Sequence, residues 1–335
     1  MRLGKTLTIL SIVGVIWLML GLTPSLAVAK EKYEEKIEKT MAVAKDGKVY
    51  LSNISGDIRV ETWDKAEVKI DAFKVSKASS MDKAKENAAK VNIEIKEEDG
   101  VLRIETKYPK MSTKNLNVSV DYNLLIPSMA AADVHSVSGD IWVANVGGTA
   151  KAETVSGEVT CEDIAGIFLG KSVSGDVKIK GAKKGVECHS VSGDVEASDV
   201  VGDVDLHSVS GEVTASRVEG SVEAETVSGD MKLTDVSEAR VVKAKALSGE
   251  VIYVGTINPD GRYSFKSHSG DIRMTIPGSS AFDLEAKTFS GDIDSEFEIT
   301  ISGKMSKKKI SGSVNGGGAD VELSTFSGDV VLRKK

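Results

Sequence analysis

The sequence is poor in aromatic residues, histidine and long apolar runs, and these shortages exclude whole classes of function. Aromatic residues make up only 5% of the 335 residues, whereas a carbohydrate-binding face usually offers several rings on which sugars stack. The net charge of −7 argues against a nucleic-acid partner, because such a partner selects a basic surface. No nucleophile–base pairing stands out among the four histidines, since the serines recur in identical contexts. The sequence therefore favours a protein that is not an enzyme.

The longest apolar run, Leu7–Leu22, lies near the N-terminus and is typical of a secretory signal. Arg2 and Lys5 give it a positive start, and small residues lead up to Ala29. We expect residues 1–29 to be a signal peptide cleaved after Ala29, with an uncleaved anchor as the alternative. No cysteine follows the run, so lipid attachment is not expected. Cleavage would move the net charge from −7 to −9 and leave a secreted or cell-envelope protein with no stable membrane span.

A repeat of eighteen residues dominates residues 138–247. Its anchor is a Ser-Gly-acid triplet at constant spacing, with the serine at Ser138, Ser156, Ser174, Ser192, Ser210 and Ser228. Each eighteen divides into two nines of similar design, as SGDVEASDV and VGDVDLHSV show. Residues 248–335 predict longer coils, with anchors at Ser248, Ser269, Ser290, Ser311 and Ser327. So constant a period is typical of repeat proteins and rare in β-sandwiches, the alternative fold.

Each nine predicts one short β-strand and one turn. Counted from the serine, apolar residues at positions four and six share one face, because side chains along a strand alternate with a period of two. The inward column at position four holds Val159, Val177, Val195 and Val213. One nine cannot bury its apolar side chains alone, so the copies must stack. The predicted fold is all-β: an elongated β-solenoid of stacked 18- to 21-residue coils, with two short strands per coil.

The glycine of each anchor is predicted to form a structural turn. A type II turn needs a positive φ at its third residue, which glycine adopts without steric cost. This assigns corner positions to Gly139, Gly157, Gly175, Gly193, Gly211 and Gly229.

The chain before the repeat predicts a lead-in and a cap. Residues 30–44 are dense in Lys and Glu and indicate a charged, solvated lead-in that could be helical. Residues 45–137 predict an N-terminal strand and helix cap region continuous with the solenoid. Its one short helix follows Ser79 or Ser80, and Glu98-Asp99-Gly100 indicates a hairpin.

The acids after the anchor glycines would form a column along one rim. Carboxylates about 4.8 Å apart repel by roughly 1 kcal/mol even in water, so something must offset the repulsion. We expect each carboxylate to accept a backbone N–H in its own turn, with a calcium column as the alternative. The column comprises Asp140, Glu158, Asp176, Asp194, Glu212 and Asp230. The match to calcium-binding nonapeptides fails at the glycines, so no cofactor is expected.

Histidines also share a column, two residues before the valine that precedes each anchor. His189 and His207 should lie one coil apart on the surface, where a metal pair is conceivable. Glu153, Lys171 and Glu225 occupy the same column, as on an ordinary solvated face. We therefore predict no metal site.

Cysteine and tryptophan provide the last candidates. Cys161 and Cys188 sit at inward positions on successive coils and could meet across a thin core. Two buried free thiols are favoured over a disulfide, because the geometry of a bridge is demanding. Trp142 is predicted to point outward, where an indole is a possible surface for binding sugars.

The pattern as a whole resembles the bacterial "putative adhesin" family of unknown function, whose cell-envelope members carry SGD-type β-strand repeats. The residues that carry the resemblance are SGDIRVETWDKAEVKI, GVLRIETKYP, VDYNLLIP and HSVSGDIWV, continuing into TVSGEV and SVSGDV. The likeness covers most of residues 45–335. It implies a β-solenoid and an envelope or surface role, and it brings no catalytic residues.

These observations predict an exported, non-enzymatic β-solenoid that binds an envelope polymer or a partner protein. One alternative is a structural or stress-response envelope protein that acts by self-association. The other is a polysaccharide-active β-helix enzyme, although the short coils leave little room for a pocket.

Overall fold

The structure, a computed structural model, describes residues 30–109, 116–301 and 306–335. Within these ranges the chain forms two large sheets, of fourteen and fifteen strands, and one helix. This confirms the predicted all-β solenoid with a short helix in its N-terminal cap. The predicted signal peptide, residues 1–29, lies outside the described residues.

The N-terminal part closes one end of the solenoid. Its elements are β1 (Glu31–Ala42), β2 (Lys48–Ser52), β3 (Ile58–Trp63), β4 (Glu67–Ala78), α1 (Met81–Ala89), β5 (Asn92–Glu98), β6 (Val101–Lys107) and β7 (Val118–Pro127). Ser80 caps α1, since its Oγ accepts a hydrogen bond from the Lys83 N–H at 3.3 Å. β5 and β6 form the predicted hairpin. β7 pairs parallel with β3 and antiparallel with β4, so a mixed sheet covers the first coil.

The charged segment after residue 30 is a strand, which corrects the predicted solvated or helical lead-in. β1 pairs antiparallel with β4 along its whole length. Ile37 and Met41 pack against the core, while most other β1 side chains face water. The half-exposed Glu35 accepts a hydrogen bond from the buried Lys74 at 3.1 Å. The pattern hid a strand because charged residues occupy the open face of this edge strand, where they also discourage further pairing.

The regular repeat places one strand of every coil in each sheet. Its strands are β8 (Ala131–Ser138), β9 (Ile141–Ala144), β10 (Ala150–Ser156), β11 (Val159–Ile164), β12 (Phe168–Ser174), β13 (Val177–Ala182), β14 (Val186–Ser192), β15 (Val195–Val201), β16 (Val204–Ser210), β17 (Val213–Glu219), β18 (Val222–Ser228), β19 (Met231–Ser237) and β20 (Val241–Ser248). Neighbouring coils pair in parallel, with an offset of eighteen residues up to β19 and of twenty between β18 and β20, so that Val195 faces Val177 on one side and Val213 on the other. Equivalent residues therefore stack in straight columns.

The core is a thin layer between the two sheets. The predicted inward valines, such as Val177 and Val195, are fully buried, and Ala197 and Ala215 fill the alternating position. Towards the C-terminus several large rings fill the core, among them Tyr253, Tyr263 and Phe265. Apolar burial at about 25 cal/mol per Å² stabilises the stack, and no single coil could supply it alone.

The C-terminal coils are not stacked in chain order. The strands here are β21 (Val251–Gly255), β22 (Arg262–Ser269), β23 (Ile272–Ile276), β24 (Phe282–Ser290), β25 (Ile293–Ser295), β26 (Thr300–Ile301), β27 (Lys309–Val314), β28 (Ala319–Ser327) and β29 (Val330–Lys334). The last coil, β28 and β29, inserts between the coils of β22 and β24, because Ser327 pairs with both Ser269 and Ser290. Ser311 lies in β27, which runs antiparallel to β24. The prediction that Ser311 anchors a coil was therefore wrong.

Among the described residues, no helix has both the length and the apolar character needed to cross a membrane.

Candidate binding face

Each strand of the fifteen-stranded sheet in the repeat carries, just before its final serine, an apolar side chain that points into solvent. The residue before the anchor serine lies outside the core because the preceding Ser or Thr points inward and side chains alternate. The valines of this column are 45–49% exposed, and Phe289 reaches 71%. We call the column the apolar ridge. In spatial order it comprises Ile54, Val137, Val155, Val173, Val191, Val209, Val227, Leu247, His268, Phe326 and Phe289.

The ridge runs the length of the solenoid. Eleven coils at about 4.8 Å per step give it a length of about 48 Å. At its C-terminal end Phe326 lies between two rings, with centroids 4.9 Å from His268 and 4.7 Å from Phe289. The interplanar angles of 13° and 5° show that the three rings stack nearly parallel. The inserted last coil builds this stack, since it brings Phe326 between residues that are closer together in the chain.

A long groove follows the ridge on one side, with a volume of about 1340 Å³. Its far wall is a second outward column, two residues earlier in each strand, which we call the flanking column. In spatial order this column comprises His135, Glu153, Lys171, His189, His207, Glu225, Lys245, Lys266, Ser324 and Lys287. The groove is therefore apolar along one wall and charged along the other.

Buried hydroxyls fix the floor of the groove. In most coils the Ser or Thr between the two columns donates from its side chain to the anchor-glycine carbonyl of the neighbouring coil, whereas the buried Ser136 Oγ has no partner among the described residues. Ser190 Oγ donates to Gly175 O and Ser208 Oγ to Gly193 O, each at 3.0 Å. These bonds satisfy buried polar atoms and tie each strand to the next turn, so the walls of the groove are held at fixed spacing.

The histidines of the flanking column contact carboxylates two residues earlier in the same strand. His189 Nε2 lies 3.0 Å from Glu187 and His207 Nε2 lies 2.6 Å from Asp205. The two rings stack at 4.9 Å with an interplanar angle of 3°. Among the described residues no group of three or more His, Cys, Asp or Glu is arranged to hold a metal. His189 and His207 thus lie side by side on neighbouring coils, as predicted, and form part of the charged wall of the groove.

Asp133 belongs to the first of these carboxylate–histidine pairs. Its carboxylate lies 2.7 Å from His135 Nε2 and 2.7 Å from Lys48 Nζ. Burial raises the pKa of the Asp133 carboxyl, but the hydrogen bonds from His135 and Lys48 outweigh burial and leave the pKa well below its usual range.

The acidic column links neighbouring coils, which corrects the prediction that each carboxylate is bonded within its own turn. Asp194 Oδ1 accepts the backbone N–H of Glu212 at 2.8 Å, and Asp176 Oδ1 accepts that of Asp194 at 2.9 Å. Asp140 and Asp230 bond the next coil in the same way, to Glu158 and Glu250. This ladder offsets the repulsion between stacked acids with charge-assisted hydrogen bonds.

The glutamates of the acidic column accept hydrogen bonds from neighbouring side chains. Glu158 Oε1 accepts hydrogen bonds from Thr160 at 2.9 Å and from Lys178 at 3.1 Å, and Glu212 bonds Thr214 at 3.0 Å. The calcium alternative for Asp140, Glu158, Asp176, Asp194, Glu212 and Asp230 stays a prediction.

The anchor glycines lie at the corners between strands, but not in type II turns. Gly139, Gly157, Gly175, Gly193, Gly211 and Gly229 have φ between 142° and 158°, far from the value near 80° of a type II turn. A Cβ at Gly193 would meet the Gly175 carbonyl, with its carbon at 2.5 Å and its oxygen closer still. The column therefore needs glycine for a second reason, the close stacking of backbones, which the sequence prediction missed.

Trp142 lies in the fourteen-stranded sheet, away from the ridge. The guanidinium of Arg59, on the neighbouring coil, lies 3.8 Å from the centre of its ring. One face of the indole is thus covered by a cation, and sugar binding at Trp142 stays a prediction.

Cys161 and Cys188 are both free and fully buried. Burial raises the pKa of both thiols far above the ordinary value. They are inert packing residues in the core, in agreement with the favoured prediction of two free thiols.

Sequence reasoning missed the apolar ridge although its signal was present. In the second nine-residue unit of a coil the side chains at even positions point inward. The residue before the next anchor is the ninth of that unit, so it points outward. A valine at that place reads as one more core residue until the buried hydroxyl before it is recognised.

The chain is similar to one family model and to several solved structures. Residues 168–333 match the family model described as Toastrack DUF4097. The chain is similar to a solved "putative adhesin" from Parabacteroides distasonis, at 13% identity over 89% of this chain and 97% of that chain, with a TM-score of 0.41. A "putative adhesin" from Bacteroides fragilis shares 12% identity over 89% and 97%, with a TM-score of 0.33. A "putative lipid binding protein" from Parabacteroides distasonis shares 11% identity over 90% of this chain and 97% of that chain, with a TM-score of 0.34. No curated protein matches the sequence.

Proposed function

We propose that the protein, whose residues 168–333 match the family model described as Toastrack DUF4097, is an exported, non-enzymatic scaffold of the cell envelope. It acts by association along the apolar ridge, with a partner that presents a matching apolar strip. Export is part of the proposal and is supported by the signal-like composition of residues 1–29.

The single observation that carries the proposal is the exposure of the ridge. Ten apolar side chains and one histidine line up over about 48 Å, and the apolar ones are 40–71% exposed. Monomeric soluble proteins rarely leave a continuous apolar patch of more than a few hundred Å² in water, and larger patches mark interaction sites. The ridge is therefore a surface at which association would remove a continuous strip of apolar side chains from water.

The chemistry of the groove supports a role without catalysis. An active site needs one residue with surroundings unlike the others, whereas the columns repeat the same arrangement coil after coil. The hydroxyls that follow His189 and His207 in the chain are already engaged, since Ser190 and Ser208 donate to glycine carbonyls at 3.0 Å. The neighbouring histidines contact carboxylates on their own strands.

The proposal is tested by placing charge on the ridge. In the double variant Val191→Asp and Val209→Asp, two ridge residues that are 49% and 48% exposed become charged. The matched control is Ile167→Asp with Val201→Asp, at residues that are 45% and 49% exposed but lie off the ridge. The measurement is the share of exported protein that stays with the envelope fraction of the producing bacterium.

We expect the wild type and the control to stay with the envelope and the ridge variant to be released several-fold more. Equal retention of all three would contradict the proposed role of the ridge. Turnover of cell-wall or surface polysaccharides by the purified wild type would contradict the non-enzymatic assignment.

A further inference from the structure

The occupant of the ridge has to match its spacing. Ridge side chains recur once per coil, at about 4.8 Å, over the whole solenoid. An equally periodic apolar strip offers one apolar side chain opposite each ridge residue. A second copy of this chain carries the same ridge and therefore has the same period.

The area of the strip is near that of a standard interface. The ridge and the flanking column are two residues apart along each strand, so together they cover a strip about 48 Å long and about 13 Å wide. That is about 600 Å² from each copy, and the exposed anchor serines on the other side of the ridge widen it. A stable interface takes roughly 800 Å² from each partner.

We propose that the partner of the ridge is a second copy of the chain, packed face to face with its axis antiparallel to the first. A twofold axis that lies in the interface and crosses the solenoid reverses the direction of the second copy. The same axis keeps each flanking column opposite the other flanking column. The interface is then isologous and closed, so the assembly stops at two copies.

The charges of the flanking column select one register. With the twofold axis between Val191 and Val209, Glu153 lies opposite Lys245 of the second copy and Lys171 lies opposite Glu225 of the second copy. Because of the twofold symmetry, each of these ion pairs occurs twice in the interface. Among the described residues of their own chain, the nearest carboxylates lie 3.8 Å from Lys171 and 3.8 Å from Lys245, so both lysines can engage charges across the interface.

The neighbouring registers are disfavoured by like charges. A shift of one coil in one direction places Lys171 opposite Lys245 and Glu153 opposite Lys266, so one kind of like-charge pair offsets one kind of opposite-charge pair. A shift in the other direction places Glu153 opposite Glu225. Like charges face to face suppress wrong alignments, whereas the apolar ridge alone would slide from coil to coil. The pattern of signs along the flanking column thus has a role that a merely solvated face does not require.

Pairing leaves the two fourteen-stranded sheets facing outward. A two-copy assembly presents every remaining surface twice and so holds an extended envelope structure more firmly than one copy does. The inference rests on the proposed function, because it names the partner of the same ridge.

Charge reversal tests the register in the exported full chain. We expect Lys171→Glu to raise the dimer dissociation constant about tenfold or more, measured by sedimentation equilibrium, since two opposite-charge pairs become like-charge pairs. Adding Glu225→Lys to the same chain should restore the wild-type value. The control Lys180→Glu, on the exposed face of the fourteen-stranded sheet, should leave the constant unchanged.

Cross-linking tests the direction of packing. In the proposed register Val155 lies opposite Leu247 of the second copy, while the two Val155 residues lie five coils apart. A short bis-maleimide should therefore link Val155→Cys protein to Leu247→Cys protein, and should not link Val155→Cys protein to itself. The native Cys161 and Cys188 are buried and stay silent.

A protein that remains monomeric at high concentration would overturn the inference, and so would self-linking of the Val155→Cys protein. A monomer whose ridge variant is still released from the envelope would leave the proposed function standing with a different partner. If the protein is a monomer and the ridge variant is retained in the envelope fraction like the wild type, both the proposed function and the proposed dimer are wrong.

Discussion

Replacing Gly193 with alanine tests the stacking of the solenoid at the point where two coils come closest. The glycine has a φ of 155°, a conformation that L residues with a side chain rarely adopt. A Cβ built there would lie 2.5 Å from the Gly175 carbonyl carbon and 3.1 Å from the Asp176 nitrogen. Both neighbours are backbone atoms held by the inter-coil ladder, so neither can move aside as a flexible side chain would.

The cost of the substitution has two parts. A residue with a side chain in a sparsely populated backbone conformation costs about 1–3 kcal/mol. Overpacking against a fixed neighbour adds about 1–3 kcal/mol. We therefore expect Gly193→Ala to lower the free energy of unfolding by about 2–6 kcal/mol, and Gly193→Val by more.

The assay is urea unfolding followed by far-ultraviolet circular dichroism, with Gly100→Ala as the matched control. Gly100 also has a positive φ, of 75°, but a Cβ there would have no atom within 4 Å. The control isolates the conformational cost and should lose only about 1 kcal/mol. If Gly193→Ala were no more destabilising than Gly100→Ala, the carbonyl of the neighbouring coil would not be where the structure places it.

Three further predictions follow from single contacts. Asp194→Ala should lower the free energy of unfolding by about 1 kcal/mol, because the Glu212 N–H loses its acceptor at 2.8 Å, while Asp194→Asn should retain most of it in urea unfolding; equal losses would mean that the oxygen does not accept this bond. Asp133→Asn should destabilise the protein at pH 7 but progressively less as the pH falls below about 4. The pKa of the Asp133 carboxyl is lower in the folded than in the unfolded protein, so its charge stabilises the fold at a pH above the unfolded pKa, and this stabilisation is lost as the pH falls towards the folded pKa. A difference between variant and wild type that is constant from pH 7 to pH 2 would contradict the His135 and Lys48 contacts. Cys161 and Cys188 should react with a thiol reagent at pH 8 only after unfolding by urea, because both are buried with raised pKa values; rapid labelling of the folded protein would show that the core is open.

The sequence predicted the repeat well because its rules are local. A constant period and a two-residue alternation sufficed to place Val177 and Val195 in the core and to assign two strands to each coil. The helix after Ser80 and the hairpin after β5 were predicted for the same reason, since capping and turn residues act on their immediate neighbours. For the candidate site, the sequence placed His189 beside His207 and left the ridge unrecognised.

The errors share a non-local cause. Ser311 and Gly312 match the true anchors, although Ser313 stands where those anchors have an acid. Ser311 is excluded from the column because β24 and β28 pair with each other. The lead-in was taken for solvated chain because β1 gains its order from β4, more than twenty residues away. The acidic side chains were expected to bond within their own turns, but the nearest free N–H belongs to the neighbouring coil.

The amino-acid sequence by itself determined that this protein is a stack of short strands with valines inside and glycines at the corners, because alternation and backbone freedom belong to each nine residues separately. Only the tertiary structure decided which coil lies on which, and with it the insertion of the last coil, the acid ladder between coils and the continuous apolar ridge that ends in Phe326 and Phe289. Those features depend on pairing between segments that are distant in the chain, and the free energy of such pairing is set by the whole stack.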